Sequence, residues 1–456
     1  MSVSAPATET TTAAPGIAQL EASGIDAVIG TVVNPAGLIH AKTVPLRRST
    51  AFADAGLGAS PVWHGFTIDQ TGIAFTEGIG VVGDQRVRID MTALRTVGDG
   101  LAWAPGQFFE QDGTPVQACS RGTLQRIETR LASVDLDARV GHELEFVLVG
   151  ADGGRLPSAL WAQYGLAGVL EHEGFVRDVT MAAAASGVGI EQFHPEYGPN
   201  QFEISLAPLS PVAAADQLVL ARIIIGRVAR RYGMRASFSP VPFAGSVGSG
   251  AHQHFSLTRA GRSLFSDGPG VRGMTGDGEC AVGGVLSGLA DAQGILCGSI
   301  LSGQRMQPGF WAGAYVCWGT ENREAAVRFL LGGPANPRGA NVEVKVIDPS
   351  ANPYFASAAI LGLALDGIER RAPLPPETTV DPANQSDQER GRAGTVLLST
   401  SQADAIAALD GSQRLRGILG DAPVDVVVAV RRYEHDNYGE LPPAELAEKF
   451  RMSWSV

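Results

Sequence analysis

Polar residues recur at every second position inside otherwise apolar stretches of the chain, which is the period of a β-strand. Between Gly141 and Val149, Glu143 and Glu145 share one face while Leu144, Phe146 and Leu148 share the other. Between Gln201 and Leu206, Glu203 and Ser205 oppose Phe202 and Ile204. His252 and His254 repeat the spacing, as do Glu343 and Lys345. Elsewhere the pattern changes. Residues 16–24 read as a short helix closed by Gly24, and Ile25–Val33 as an apolar strand broken by the turn Asn34-Pro35-Ala36-Gly37. Short strands with frequent glycines continue to about Ala104. Leu124, Ile127 and Leu131 then fall on one face of a helix beginning near Ser120, and Gln217–Tyr232 predicts another, with Arg227, Arg230 and Arg231 at its basic end. The apolar stretch Cys280–Gly303 carries Asp291 and Gln293 and reads as a buried helix rather than a membrane span. A polar loop, Pro373–Gly391, interrupts a C-terminal region that is otherwise helical. These shifts divide the chain into a disordered tail (1–16), a small β-rich domain (17–115) and a large domain (116–456), with the boundary at Asp112-Gly113-Thr114-Pro115.

Composition narrows the classes open to such a chain. With 456 residues, 45% of them hydrophobic, it can bury a sizeable core. Lys and Arg number 35 against 47 Asp and Glu, a net charge of −12, which argues against a generic binder of nucleic acid or anionic membrane. Cys119, Cys280, Cys297 and Cys317 are too scattered for a disulfide framework or a CxxC metal knuckle, and suit reduced thiols in a cytoplasmic protein. The N-terminal residues lack the basic and apolar regions of a signal peptide.

A charged face on one strand is ordinarily the solvated side of an antiparallel sheet. Four such strands bearing glutamates and histidines favour another explanation. Like charges opposite one another on neighbouring strands repel, and a divalent cation relieves that repulsion. Carboxylate-rich sets with an occasional imidazole suit hard ions such as Mg²⁺ or Mn²⁺.

The motifs Gly141-His-Glu-Leu-Glu-Phe, Glu191-Gln-Phe-His-Pro-Glu-Tyr-Gly-Pro-Asn-Gln-Phe-Glu203 and Gly248-Ser-Gly-Ala-His-Gln-His-Phe-Ser-Leu257 resemble, in order and spacing, those of glutamine synthetases. So do Asn322-Arg-Glu-Ala-Ala-Val-Arg328, Glu343-Val-Lys-Val-Ile-Asp-Pro-Ser-Ala-Asn-Pro-Tyr354, Gly83-Asp84 and Trp103-Ala-Pro-Gly106, so that the likeness runs from about residue 18 onward. The resemblance implies an α+β fold: a small β-grasp N-terminal domain and a large catalytic domain with a curved antiparallel sheet flanked by helices. It implies rings of subunits, two stacked hexamers making a dodecamer, with active sites shared between neighbours. It also implies an ATP-dependent ligase that phosphorylates a carboxylate and lets an amine attack the acyl phosphate.

Carried over residue by residue, the resemblance assigns Glu145, Glu196 and Glu203 to one metal and Glu143, His252 and Glu343 to a second. Glu191, His254 and Ser256 match nucleotide-contacting positions, and Arg328 and Arg338 match cationic phosphate contacts. Arg323 matches a phosphoryl-stabilising arginine, while Gly248 and Arg305 match positions that take the amino-acid substrate.

This sequence departs from the family pattern at four places. Asn34 stands where the family has an aspartate of its ammonium site, and Trp311, in Arg305-Met-Gln-Pro-Gly-Phe-Trp311, where it has a flap glutamate. Lys345 replaces an arginine near the γ-phosphoryl group, and Val247 replaces an asparagine of the substrate loop. Without the two acids, an organic amine packed against Trp311 is expected in place of ammonium, giving a γ-glutamyl amide. The competing readings are a genuine glutamine synthetase in which Asp69 or Glu77 supplies the base, and a non-catalytic nucleotide-binding ring. The expected partners are amino-acid and amine substrates and further copies of this chain, with no nucleic acid and no membrane.

Overall fold

In the computed structural model, the structure describes residues 16–158, 160–336 and 339–456. The tail expected over 1–16 lies outside the described residues, Gly16 apart. A helix at Ile17–Ala22 leads into the first sheet. Its strands are β1 (Ala27–Val33), β2 (Ile39–Pro45), β3 (Leu57–Ala59), β4 (Gln85–Ile89), β5 (Arg95–Gly98) and β6 (Leu101–Phe109). They run in the order β2-β1-β6-β4-β3, with β5 alongside β6. β1 is antiparallel to β2 but parallel to β6, and Trp103 on β6, buried, donates its indole N–H to Thr31 Oγ1 on β1 at 2.8 Å.

The second sheet holds β7 (Leu136–Gly150), β8 (Ile190–Pro195), β9 (Gln201–Leu206), β10 (Met234–Ser237), β11 (Gln253–Arg259), β12 (Arg262–Ser263), β13 (Tyr315–Thr320), β14 (Ala325–Leu330), β15 (Asn341–Val344) and β16 (Val396–Leu397). Its order is β16-β13-β14-β15-β11-β7-β9-β8, with β10 on β7 and β12 on β11; every pairing is antiparallel except β13 with β14. β7 is the spine. Leu144, Phe146 and Leu148 are buried on one face, as the alternation predicts, and Phe146 stacks on Phe202 at 6.1 Å. That apolar face is what the polar face of the same strand leans on.

Helices Ser120–Ser133, Pro211–Arg231 and Pro353–Arg370 pack against this core. Arg121 ties them to the first sheet: its guanidinium meets Asp216 at 2.8 Å and Asp90 at 2.9 Å, and the Tyr354 hydroxyl donates to Asp216 at 2.7 Å. The turn after β1 is fixed from the large sheet's side of the molecule. Ser120 Oγ donates to the Val33 carbonyl, Asn352 Nδ2 to those of Val33 and Asn34, and Trp454 Nε1 to that of Ala36, all within 2.9–3.0 Å. Gly37 closes the turn at φ +79°, a conformation that costs other residues most.

Three local expectations are corrected. The helix predicted at Gln217–Tyr232 begins earlier, at Pro211, where proline suits the first helical turn. Cys280–Gly303 is not one helix but parts of three, Gly276–Gly288, Gln293–Leu296 and Ser302–Arg305. Its polar residues turn aside to local partners: Asp291 accepts from Ser412 Oγ at 2.8 Å, and Gln293 donates to the Ser399 carbonyl at 2.5 Å. The loop Pro373–Gly391 runs into a helix, Asp387–Ala393, opened by a capping box of Ser386 and Glu389. No helix among the described residues is long and apolar enough to cross a membrane.

Candidate active site

The polar face of β7 meets the polar faces of β8, β9, β11 and β15 in register. Glu145 is directly opposite Glu203, His194 opposite Glu203, and Glu343 opposite both His254 and Arg328. Ligand atoms of Glu143, His252 and Glu343 lie within 4.8 Å of one another, which gathers one of the two metal sets expected from the sequence. The other set is divided. Glu145 and Glu203 group with His252, while Glu196 and Glu203 group with His194, again within 4.8 Å. His194 is an addition to the sets expected from the sequence, and it precedes Glu196 by the same two-residue step that marks the other strands.

The electrostatics sort these groups into two halves. Around Glu143 the cations prevail. Burial opposes its charge, yet bonds from His252 and His254 hold its carboxyl well below the usual range. Glu343 is likewise buried, and Lys345, His254 and His252 bring it down to about 2. His254 is raised to about 9 against its burial, because Nε2 faces Glu143 at 3.2 Å and Nδ1 faces Asn341 Oδ1 at 2.8 Å. Around Glu145 the acids prevail. Burial raises Glu145; burial and then Glu145 push Glu196 up to about 7; and burial, with Glu143, Glu145 and Glu196, raises Glu203. Carboxyl groups crowded this closely repel one another once ionised, and a hard divalent ion would relieve that repulsion. The donor set therefore fits hard divalent ions.

The cationic residues converge on the first half. Lys345 Nζ lies 3.2 Å from Glu343, and Arg328 bonds Glu343 at 3.2 Å and Glu321 at 2.6 Å. Buried Arg305 has Nη2 3.3 Å from His252 Nε2 and donates to the carbonyls of Lys345 and Val346 at 3.2 and 3.3 Å. Gln201, another residue not singled out, donates to Glu145 and to the Gly248 carbonyl, both at 2.9 Å. Ser256 is half-buried on β11, opposite Arg139. Glu191 and Arg323 are exposed, with no ion pair to the cluster among the described residues. Arg338 lies outside the described residues.

Trp311 is half-exposed, and its ring meets Tyr197 edge-on at 5.4 Å. Tyr197 in turn stands edge-on to Tyr164 at 6.3 Å, and Tyr164 bonds Glu196. Asn34 does not join this group within the chain. Its amide is spent on the turn, donating to the Phe66 carbonyl at 2.8 Å and accepting from the Leu38 N–H at 3.0 Å. Asp69 is similarly committed: against a burial effect, bonds from Tyr438, Gly72, Thr67 and Thr71 hold it down to about 2. Such a carboxylate is a poor base. Glu77 is exposed beside a cleft of about 540 Å³ that it shares with Asp410 and Arg432.

Residues 117–448 match the family model described as glutamine synthetase, catalytic domain. Among curated proteins the chain is 37% identical over 444 residues to the gamma-glutamylpolyamine synthetase GlnA3 of Streptomyces coelicolor, covering 96% of this chain and 95% of that one. It is 30% identical over 346 residues to the glutamine synthetase of Pyrococcus abyssi, covering 75% and 76%. A crystal structure described as a novel glutamine synthase homolog superposes with a TM-score of 0.84 at 27% identity, over 94% of this chain and 99% of that one. A GmaS/ADP complex superposes with a TM-score of 0.83 at 24% identity, over 94% and 97%, a likeness of fold.

Proposed function

This chain belongs to the glutamine synthetase family, and from that premise we propose that it is an ATP-dependent ligase joining the γ-carboxylate of glutamate to an organic amine. The observation that carries the amine is Trp311: where the family pattern would put a flap glutamate, an indole stands against Tyr197, and Tyr197 and Tyr164 border Glu196. Aromatic faces beside carboxylates suit an alkylammonium better than ammonium itself. The polyamine substrate of the Streptomyces coelicolor relative is of this class, and a di- or polyamine is the first amine to try.

In this reading Glu143, His252 and Glu343 hold one divalent cation, and Glu145, Glu196 and Glu203, with His194 at their edge, hold another. Bound there, Mg²⁺ or Mn²⁺ would neutralise the charge that gathers as a phosphoryl group approaches a carboxylate. The chain's own residues do the rest. Buried Arg305, above the Gly248 loop, takes the α-carboxylate of glutamate. Arg328 and Lys345 steady the phosphates, His254, Ser256 and Glu191 border the nucleotide, Arg323 adds charge from the exposed side, and Arg338 is a further phosphate contact by its match to the family position. A γ-carboxylate oxygen attacks the terminal phosphorus and the bond to ADP breaks. The amine nitrogen, as its free base, then attacks the carbonyl carbon, the C–O bond to phosphate breaks, and the departing phosphate takes the proton that the nitrogen sheds as the amide forms. Lys345 keeps the charge but not the fork of an arginine, so it acts at a single oxygen.

The wider picture follows the family: a β-grasp N-terminal domain to about residue 115, a catalytic domain beyond it, a ring-forming homo-oligomer of two hexamers, and a cytoplasmic place in keeping with four free cysteines. Phosphate release from ATP, glutamate and Mg²⁺, measured across ammonium, alkylamines, arylamines, putrescine and spermidine, tests the reading. An organic amine should outpace ammonium. Ammonium as the best nucleophile would overturn it.

A further inference from the structure

Glu324 is a carboxylate that the chemistry above leaves unused. It sits one residue before β14, only 8% exposed. Oε1 accepts the backbone N–H of Trp311 at 3.1 Å and Oε2 accepts that of Gly309 at 3.4 Å. Both residues are left-handed, Gly309 at φ +82° and Trp311 at φ +54°. A bulky side chain rarely adopts that backbone unless its surroundings impose it. The clasp is itself anchored. The Glu324 N–H donates to Asn322 Oδ1 at 3.2 Å, and Asn322 Nδ2 donates to the carbonyls of Thr378 and Val380, both at 2.9 Å.

Held in this way, the loop delivers its indole to the acid cluster. Trp311 meets Tyr197 edge-on at 5.4 Å, and the Tyr197 N–H donates to Glu196 Oε2 at 3.1 Å. Trp311 and Tyr197 stay 40% and 42% exposed, so their ring faces remain open to a ligand. The geometry points to Glu324 as a positioning residue: by clasping the backbone of Gly309 and Trp311, it sets the aromatic wall against which a cationic alkylamine binds. The inference rests on the organic-amine reading above. Burial pushes the Glu324 carboxyl up from its ordinary range, and the two N–H donors, one on each oxygen, pull it part of the way back.

The test compares the full-length protein with Glu324→Ala, Glu324→Gln and Trp311→Phe, using putrescine as the amine. In Glu324→Ala the KM for putrescine should rise about tenfold, as expected when hydrogen bonds to a charged acceptor are lost, while the KM values for glutamate and ATP stay within about twofold. Glu324→Gln keeps one oxygen acceptor and should recover part of the loss; should the alanine variant not fold, it carries the test alone. The emission of Trp311, read as the difference from Trp311→Phe, should move to the red in either Glu324 variant as the indole comes free. An unchanged putrescine KM, or equal rises for all three substrates, overturns the inference. If the unmutated protein turns over no organic amine, the functional reading falls, and Trp311 emission still decides the clasp: no shift in the Glu324 variants overturns it.

Discussion

A Cβ built on Gly250 would lie 2.6 Å from His252 Nε2, 2.8 Å from Glu145 Oε1 and 2.9 Å from Arg305 Nη2. A methyl group there must push aside the tips of His252, Glu145 and Arg305. Gly250→Ala should therefore weaken Mn²⁺ binding by roughly 10–100-fold, the usual range for disturbing groups that orient metal ligands, with little change in melting temperature. Titration of the variant by calorimetry checks it. At this scale the sequence was most readable where spacing carried the signal: Glu143, Glu145, Glu203 and His254 lie on the predicted faces, and His252 stands one residue before β11, its carbonyl accepting from the Glu143 N–H at 2.9 Å. His194 obeys the same spacing, two residues before Glu196, but a lone imidazole in a half-buried strand gives no sign that Glu203 faces it across the sheet. Glu324 had no local signal at all, since its partners are backbone N–H groups of a loop elsewhere in the chain.

At the scale of elements, the strands were legible and the helix boundaries less so. Alternation survives in β7 because one face is fully buried and a slip of one residue would invert it. The apolar run Cys280–Gly303 gave no hint of its breaks, because Asp291 and Gln293 find partners that are distant in sequence, at Ser412 and Ser399. The same blindness covers Arg121, which reads as one basic residue on an amphipathic helix. In the structure it is buried between Asp216 and Asp90 and binds a helix, the first sheet and, through Asp216, Tyr354. Arg121→Ala should cost about 3–5 kcal/mol, the usual penalty for stranding one partner of a buried ion pair. The shift in the urea unfolding midpoint measures it, and replacing Arg121 and Asp216 together by Met and Leu should recover much of the loss.

For the whole molecule, the acid cluster makes stability depend on pH and metal together. Glu196, raised to about 7 by burial and by Glu145, favours the folded state most when protonated, so its contribution fades as pH climbs from its ordinary value toward 7. His254, raised to about 9 against burial by Glu143 and Glu343, contributes fully below its ordinary value of 6.5 and loses that contribution as pH rises through 9. Both signs agree. The metal-free protein should melt at progressively lower temperature from pH 6 to pH 9. Mg²⁺ should raise the melting temperature more at pH 9 than at pH 6, because ionised ligands bind it without first releasing protons. Equal Mg²⁺ shifts at the two pH values would show that the cluster is not where the ion binds.

The turn after β1 has a consequence for the order in which the molecule is made. Its Ala36 carbonyl is capped by Trp454, 418 residues later, and the Ile68 carbonyl by Ser453, 385 residues later. A ribosome adding about 5–20 residues per second reaches Trp454 roughly 20–80 seconds after Ala36 has emerged. Through that interval the first sheet can pair its strands and take up the bonds from Ser120 and then Asn352, but its turn lacks the last of its clasps. Chaperone occupancy on the nascent chain should last until these final clasps arrive.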